Sequence, residues 1–118
     1  QEKLFKNAQR IRRLVVDAMT NLFKEYDGLI MPNSGSIAPR FTDEMDRLSE
    51  KYLLLENHLA IGNFGGFPSI TIPSGIIDDM PVAINITGPI KTDDVVCNIA
   101  NKLEEKIGFV PLSVKEEN

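Results

Sequence analysis

The sequence predicts an α/β fold, a mixed sheet with flanking helices in the order α-β-α-β-β-α. Three observations predict it. Apolar stripes at helical spacing lie near both ends, from Leu4 to Leu22 and from Val96 to Ile107. Val82-Ala83-Ile84-Asn85-Ile86-Thr87 alternates, with Val82, Ile84 and Ile86 on one side and small or polar residues on the other. Ile70-Thr71-Ile72-Pro73 precedes that strand across a turn at Asp78-Asp79-Met80-Pro81, which makes the two an antiparallel hairpin.

Taken in order, residues 3–26 read as an amphipathic helix ending at Asp27-Gly28. Leu4, Ala8, Ile11, Val15, Ala18 and Leu22 recur every three or four residues. Burying that stripe would contribute on the order of 10 kcal/mol before conformational entropy is counted. Leu29-Ile30-Met31 is too short for a helix and follows a turn, so it reads as a buried strand. Residues 32–39 form a loop of Asn, Ser, Gly and Pro, and residues 41–51 a polar, charged and mobile stretch. Residues 52–61 read as a helix with Tyr52, Leu55 and Leu59 on one face, ended by a Gly-rich turn. Near the other end, Thr92 is placed as an N-cap with Asp93 and Asp94 in the first turn. Val96, Ile99, Ala100, Leu103 and Ile107 are the buried stripe of the last helix, and Gly108 terminates it. Residues 113–118 are a polar tail, which leaves one domain over residues 1–112.

With 118 residues and 42% hydrophobic content, the chain suits one folded domain. A net charge of −4 gives no general attraction to nucleic acid or an anionic membrane. No apolar run approaches the roughly 18 residues of a membrane-spanning helix. No signal peptide is legible, and the composition suits a cytoplasmic protein. Asn85-Ile86-Thr87 matches a glycosylation sequon but reads as strand. One Cys and one His cannot form a zinc site of the usual kind. The sequence opens without Met, already at the edge of a helix, which predicts a piece of a longer protein.

No constellation for nucleophilic chemistry is legible. None of the serines sits in a Gly-x-Ser-x-Gly elbow. His58, at the apolar end of its predicted helix, reads as a packed or capping histidine, and Cys97 as core. Asp43, Glu44, Asp46 and Glu50 read as a solvated face. Gly62-Asn63-Phe64-Gly65-Gly66 precedes a strand and lacks the order of a phosphate-binding loop, which excludes a dinucleotide fingerprint. Lys6, Arg10 and Arg13 share a helix face that reads as solvated. Arg12 lies beside the apolar stripe, partly buried, where it needs a carboxylate or backbone carbonyls as partners.

The most specific stretch runs from Asn63 to Gly75. Its two prolines and three glycines in thirteen residues define one chain path. The run resembles the Asn-x-x-Gly-x-Pro-x-x-x-x-Pro-x-Gly segment in the C-terminal part of the amidase signature family. Ala8-Gln9-Arg10-Ile11-Arg12 is similar to that family's Ala-Gln-x-x-Arg helix, Asp27 to Pro32 to its Asp-Gly-hydrophobic-Pro strand, and Pro81 to Gly88 to its Pro-Val-Gly-Leu-Gln-x-x-Gly strand. The resemblance spans about residues 3–108.

Within the family the resemblance is to the glutamine-hydrolysing members of tRNA-dependent amidotransferase complexes. It implies a parent that releases ammonia from glutamine beside B and C subunits, one of which uses ATP and Mg to activate Glu-tRNA(Gln). It implies a Ser-cisSer-Lys mechanism whose residues lie elsewhere in the family's sequence, since nothing like its Gly-Gly-Ser-Ser-Gly-Gly-Ser signature occurs here. By itself this chain is then inactive and binds no cofactor or metal. Glu56, seven positions before Asn63, matches an acidic residue that holds the glutamine α-amino group, usually Asp. Asn63, Gly65, Gly66 and Pro68 form the turn near that pocket. Asn33-Ser34-Gly35-Ser36, Phe64, Phe67 and Ser69 depart from the family's usual residues in the same region. Two other readings stand beside this one: a piece of an amidase signature hydrolase acting on small or lipophilic amides, and a non-catalytic module binding tRNA or protein through Lys6, Arg10 and Arg13.

Overall fold

The structure, a computed structural model, describes residues 2–38 and 60–108. Its elements follow the expected order: α1 (Glu2–Leu22), β1 (Leu29–Pro32), α2 (Ala60–Gly65), β2 (Ser69–Ile77), β3 (Met80–Thr87) and α3 (Asp93–Ile107). The strands form one sheet in the order β1-β3-β2. Both pairings are antiparallel, so the mixing of strand directions expected from sequence is not found among the described residues.

The alternation of β3 divides the sheet into two unlike faces. Ile86 pairs with Ile30 and Ile70, and Ile84 with Ile72. The apolar face of β2 and β3 packs against α3, where Ile72, Ile86, Val96 and Ala100 are buried and Ile99, Leu103 and Ile107 close around them. On the opposite face, Asn85 pairs with Met31 and Thr71, and Thr87 with Leu29 and Ser69. That face is predominantly polar, and Asn85 and Thr87 on it are buried.

The hairpin is longer than expected. Ile77 pairs with Met80, so the turn is only Asp78-Asp79, with φ of 49° and 60°. Two residues with positive φ give a turn whose twist matches that of the strands it joins. The Pro-Ser-Gly segment does not end β2. Pro73 pairs with Ala83 and Gly75 with Val82, leaving Ser74 as a bulge. A bulge admits Pro, which has no N–H for the ladder.

Several expectations are corrected. The helix of α1 stops at Leu22, and a turn with 3.1 Å bonds from Glu25 N and Tyr26 N to Leu22 O carries the chain onward. Its stripe is largely unburied: Leu4 is 79% and Ile11 62% exposed, and Met19 is the buried residue of the helix. Among the described residues it is chiefly α2 that lies alongside α1, and six residues cannot cover a 21-residue helix. Strand β1 is half-covered, because α3 packs chiefly on β2 and leaves Ile30 exposed. Thr92 occupies the N-cap of α3 but gives no side-chain cap, because its hydroxyl donates to Pro89 O at 2.7 Å. Cys97 is exposed, one residue round the helix from buried Val96, rather than in the core. Gly108 ends α3 as expected, with φ 80° and its N–H donated to Glu104 O.

Glu56, His58, the carboxylates between Asp43 and Glu50, the helix face of Tyr52, Leu55 and Leu59, and the tail at 113–118 lie outside the described residues. No described helix is long and apolar enough to cross a membrane.

Candidate functional site

The Gly-rich run is built as a helix end, not as a turn that stops the helix before it. Gly62, Asn63, Phe64 and Gly65 are all within α2. Gly62 O then accepts N–H bonds from Gly66 at 2.9 Å and Phe67 at 3.1 Å, and Gly66 takes φ +70°. Glycine after the last helical turn reverses the chain without the cost a Cβ would bring there. The reversal delivers Phe67 into the core, 6% exposed, with its ring 5.6 Å from that of Phe23. The Phe67 ring occupies the place a Cβ on Gly65 would take. Pro68 O accepts the Gly88 N–H at 3.0 Å, fixing the run to the end of β3.

Arg12 closes the arrangement from α1. Its Nε donates to Phe64 O at 2.7 Å. The backbone-carbonyl partner expected for this side chain is thus present, although the bond is exposed rather than buried. Beside it, Ala8, Ile11, Val15, Ala60, Ile61 and Phe64 line an apolar groove of about 420 Å³ between α1 and α2. Asn63 is exposed on α2, Gly65 and Pro68 are half-buried, and Gly66 is exposed. The four turn residues are therefore brought together, while Glu56 lies outside the described residues.

The polar sheet face carries a hydrogen-bond network that the alternation of β3 signalled only as a small, polar side. Ser69 Oγ lies 3.0 Å from Asn85 Oδ1 and Thr87 Oγ1 lies 3.0 Å from the same oxygen. Asn85 Nδ2 donates to Thr71 Oγ1 at 3.1 Å, and Thr71 Oγ1 donates to Asn33 Oδ1 at 3.0 Å. Five side chains from both hairpin strands and the loop after β1 are thereby locked in one orientation. With Asn85 5% and Thr87 2% exposed, that satisfaction is what permits their burial. Asn85 of the sequon match is thus an interior strand residue.

The described residues supply amides, hydroxyls and backbone groups, which bind and orient. They include no group of His, Cys, Asp or Glu side chains placed to hold a metal. Lys6 pairs with Glu2 at 2.7 Å and Arg13 with Asp17 at 3.1 Å, all exposed, as a solvated helix face would have it.

An amidase family model matches residues 1–97. The chain is 32% identical over 109 residues to the A subunit of glutamyl-tRNA(Gln) amidotransferase from Fusobacterium nucleatum, covering 92% of this chain and 22% of that protein. It is 30% identical over 105 residues to the A subunit of the same enzyme from Clostridium botulinum, covering 89% of this chain and 21% of that one. Among solved structures, the glutamyl-tRNA(Gln) amidotransferase A subunit of Thermotoga maritima is similar with a TM-score of 0.85 and 28% identity, over 97% of this chain and 26% of that one. A bacterial aryl acylamidase of the amidase signature enzymes shares the fold, with a TM-score of 0.75 and 24% identity over 89% of this chain and 23% of that one. The chain spans between a fifth and about a quarter of the length of these relatives.

Proposed function

The chain belongs to the amidase family, and from that premise we infer that it is a piece of the glutaminase subunit of a tRNA-dependent amidotransferase, contributing scaffold and part of the glutamine pocket. The observation that carries this reading is the agreement of 97% of the chain with 26% of the Thermotoga maritima structure at a TM-score of 0.85. In this reading the parent hydrolyses glutamine with a Ser-cisSer-Lys set contributed by the rest of its chain, in the cytoplasm. The ammonia passes to a partner subunit that activates Glu-tRNA(Gln) with ATP and Mg and amidates it, the whole acting as a complex with B and C subunits.

The role of these residues is positional. Gly66 reverses the chain, Phe67 anchors the reversal in the core, and Arg12 holds the carbonyl of Phe64. The run is thereby given a fixed place on the described fold, and in this reading Glu56, seven positions before Asn63 in sequence, is the residue whose carboxylate holds the glutamine ammonium by a charge-assisted hydrogen bond. The described residues of that arrangement hold no activated nucleophile, and in this reading the chain alone is inactive.

The test is glutaminase activity of this chain beside its full-length parent with the partner subunits present. Activity in the parent alone is the expected result. Activity in the isolated chain overturns the reading. A parent inert toward glutamine but active on other amides points to a different amidase hydrolase.

A further inference from the structure

At about 1.5 Å per residue, the 21 residues of α1 run for about 30 Å, and the six residues of α2 cover only part of that length. Leu4, Ile11 and Leu14 follow at intervals of seven and three, which sets them along one side of the helix. They are 79%, 62% and 69% exposed. Phe64 of α2, also exposed, lines the same groove as Ile11 and adds an aromatic ring to that side.

Cations flank this apolar strip. Lys3 and Arg10 immediately precede Leu4 and Ile11, and at about 100° per residue both fall beside Leu14 on the helix surface. Lys6 is paired with Glu2 and Arg13 with Asp17, whereas Lys3 and Arg10 make no ion pair among the described residues. Along α1, Lys3, Lys6, Arg10, Arg12 and Arg13 stand against two carboxylates, Glu2 and Asp17. The whole chain carries a net charge of −4, so its positive charge is concentrated on the helix that exposes the apolar strip.

We propose that α1 lies in the surface of an anionic membrane, with Leu4, Ile11 and Leu14 in the acyl boundary and Lys3 and Arg10 among acidic headgroups. A nucleic acid would use the cations and leave the leucines in water. An apolar groove on a protein would take the leucines and gain nothing from Lys3 and Arg10. A bilayer surface takes both at once, which is why helices that rest on membranes join a basic side to an apolar one. The long stems of Lys and Arg keep their charges at headgroup level while the neighbouring leucines go deeper. The acidic remainder of the chain is repelled by such a surface and turns α1 toward it. This attachment is independent of what the parent hydrolyses.

The test is co-sedimentation of the full-length parent with vesicles of phosphatidylcholine containing about 30% phosphatidylserine, beside vesicles of phosphatidylcholine alone. Saturable binding to the anionic vesicles is expected, weaker by about tenfold or more on the neutral ones and weakened by added salt. Lys3→Glu with Arg10→Glu is expected to abolish the preference for anionic lipid. Leu4→Ser with Leu14→Ser should weaken binding by about tenfold or more while leaving the charges in place. All four positions are exposed, so both double variants should keep the wild-type unfolding transition. Ile76→Ser with Ile77→Ser, which removes exposed apolar side chains from the hairpin instead, should bind as wild type. A parent that does not co-sediment, that binds both vesicle types equally, or whose binding is unaltered in either α1 double variant would overturn the proposal. Capture by heparin of a parent that vesicles do not bind, lost in Lys3→Glu with Arg10→Glu, would overturn it in favour of a polyanion site.

Discussion

The Nε of Arg12 donates to the carbonyl of Phe64 at 2.7 Å, across 52 positions of sequence. Phe64 lies in the last turn of α2, where carbonyls have no partner within the helix. One side chain of α1 therefore satisfies a backbone group of α2 and fixes how the two helices meet. Arg12→Ala is expected to destabilise the protein by about 0.5–1.5 kcal/mol, the range of an ordinary hydrogen bond, since this one is exposed. Arg12→Lys recovers only part, because a flexible ammonium replaces a planar fork. Urea unfolding of the three proteins measures both. Equal midpoints for wild type and Arg12→Ala would show that the bond contributes nothing to stability.

Two glycines respond to a Cβ for different reasons. At Gly88 a Cβ would run into the Val96 side chain, which is 2% exposed and pinned in the core, and would lie 3.1 Å from Thr92 Oγ1. At Gly66 it would meet nothing, but φ is +70°. Gly88→Ala is expected to cost about 1–3 kcal/mol through overpacking. Gly66→Ala costs about 1 kcal/mol through backbone strain alone. Thermal unfolding should place Gly88→Ala below Gly66→Ala; the reverse order would mean that α3 yields easily at Val96.

Asn85 is the hub of the polar sheet face. Asn85→Ala leaves the Ser69, Thr71 and Thr87 hydroxyls short of a partner, and is expected to cost about 1–3 kcal/mol. Because Ser69 donates to the Asn85 Oδ1 that Thr87 shares, the Asn85→Ala, Ser69→Ala double variant should lose less than the sum of the singles. Strict additivity in denaturant unfolding would dissolve the network into independent bonds. The same burial predicts that the folded protein, offered to a glycosylating extract, gains no glycan at Asn85.

The parts of the fold legible in sequence are those where period and burial agree. Val96, Ala100 and Ile86 repeat at the right spacings and are buried against one another. The α1 stripe has the same spacing, yet Leu4 and Ile11 are exposed. Periodicity states that a helix has an apolar face and not what covers it. Cys97 shows the converse: a residue type common in cores sits one step round the helix from the buried line. The glycines at 62 and 65 read as helix breakers, but Gly62 O and Gly66 supply the cap that lets the helix run through them. The bulge at Ser74 left no signal beyond its neighbouring Pro and Gly, so β2 reads from sequence as about half its length. Of the candidate site, the chain reversal at Gly66 is the part a glycine can signal, since it sits at φ +70°. The Asn33–Thr71–Asn85 connection was not legible, since it joins residues that only the β1-β3-β2 order brings together.

The proposed function assigns its electrostatic part to Glu56. A carboxylate facing a substrate ammonium contributes to binding and not to the bond-breaking step. Glu56→Ala in the full-length protein is therefore expected to raise the KM for glutamine by about tenfold or more with little change in kcat. Glu56→Asp, one methylene shorter, should retain most of the affinity. Steady-state glutaminase assays read both constants, and an unchanged KM would remove Glu56 from the pocket.

On α1, Leu4, Phe5, Ile11 and Leu14 are each more than 60% exposed, and Phe64 adds an exposed ring from α2. Contiguous apolar surface of this kind is driven to leave water, and a second copy offers the same face. The isolated chain is expected to sediment as concentration-dependent oligomers. Ile11→Glu with Leu14→Glu, which puts two carboxylates on that face without touching the sheet core, should return it to monomer while leaving the unfolding transition in place. A wild-type chain that stays monomeric at high concentration would mean that the groove between α1 and α2 is satisfied within a single copy.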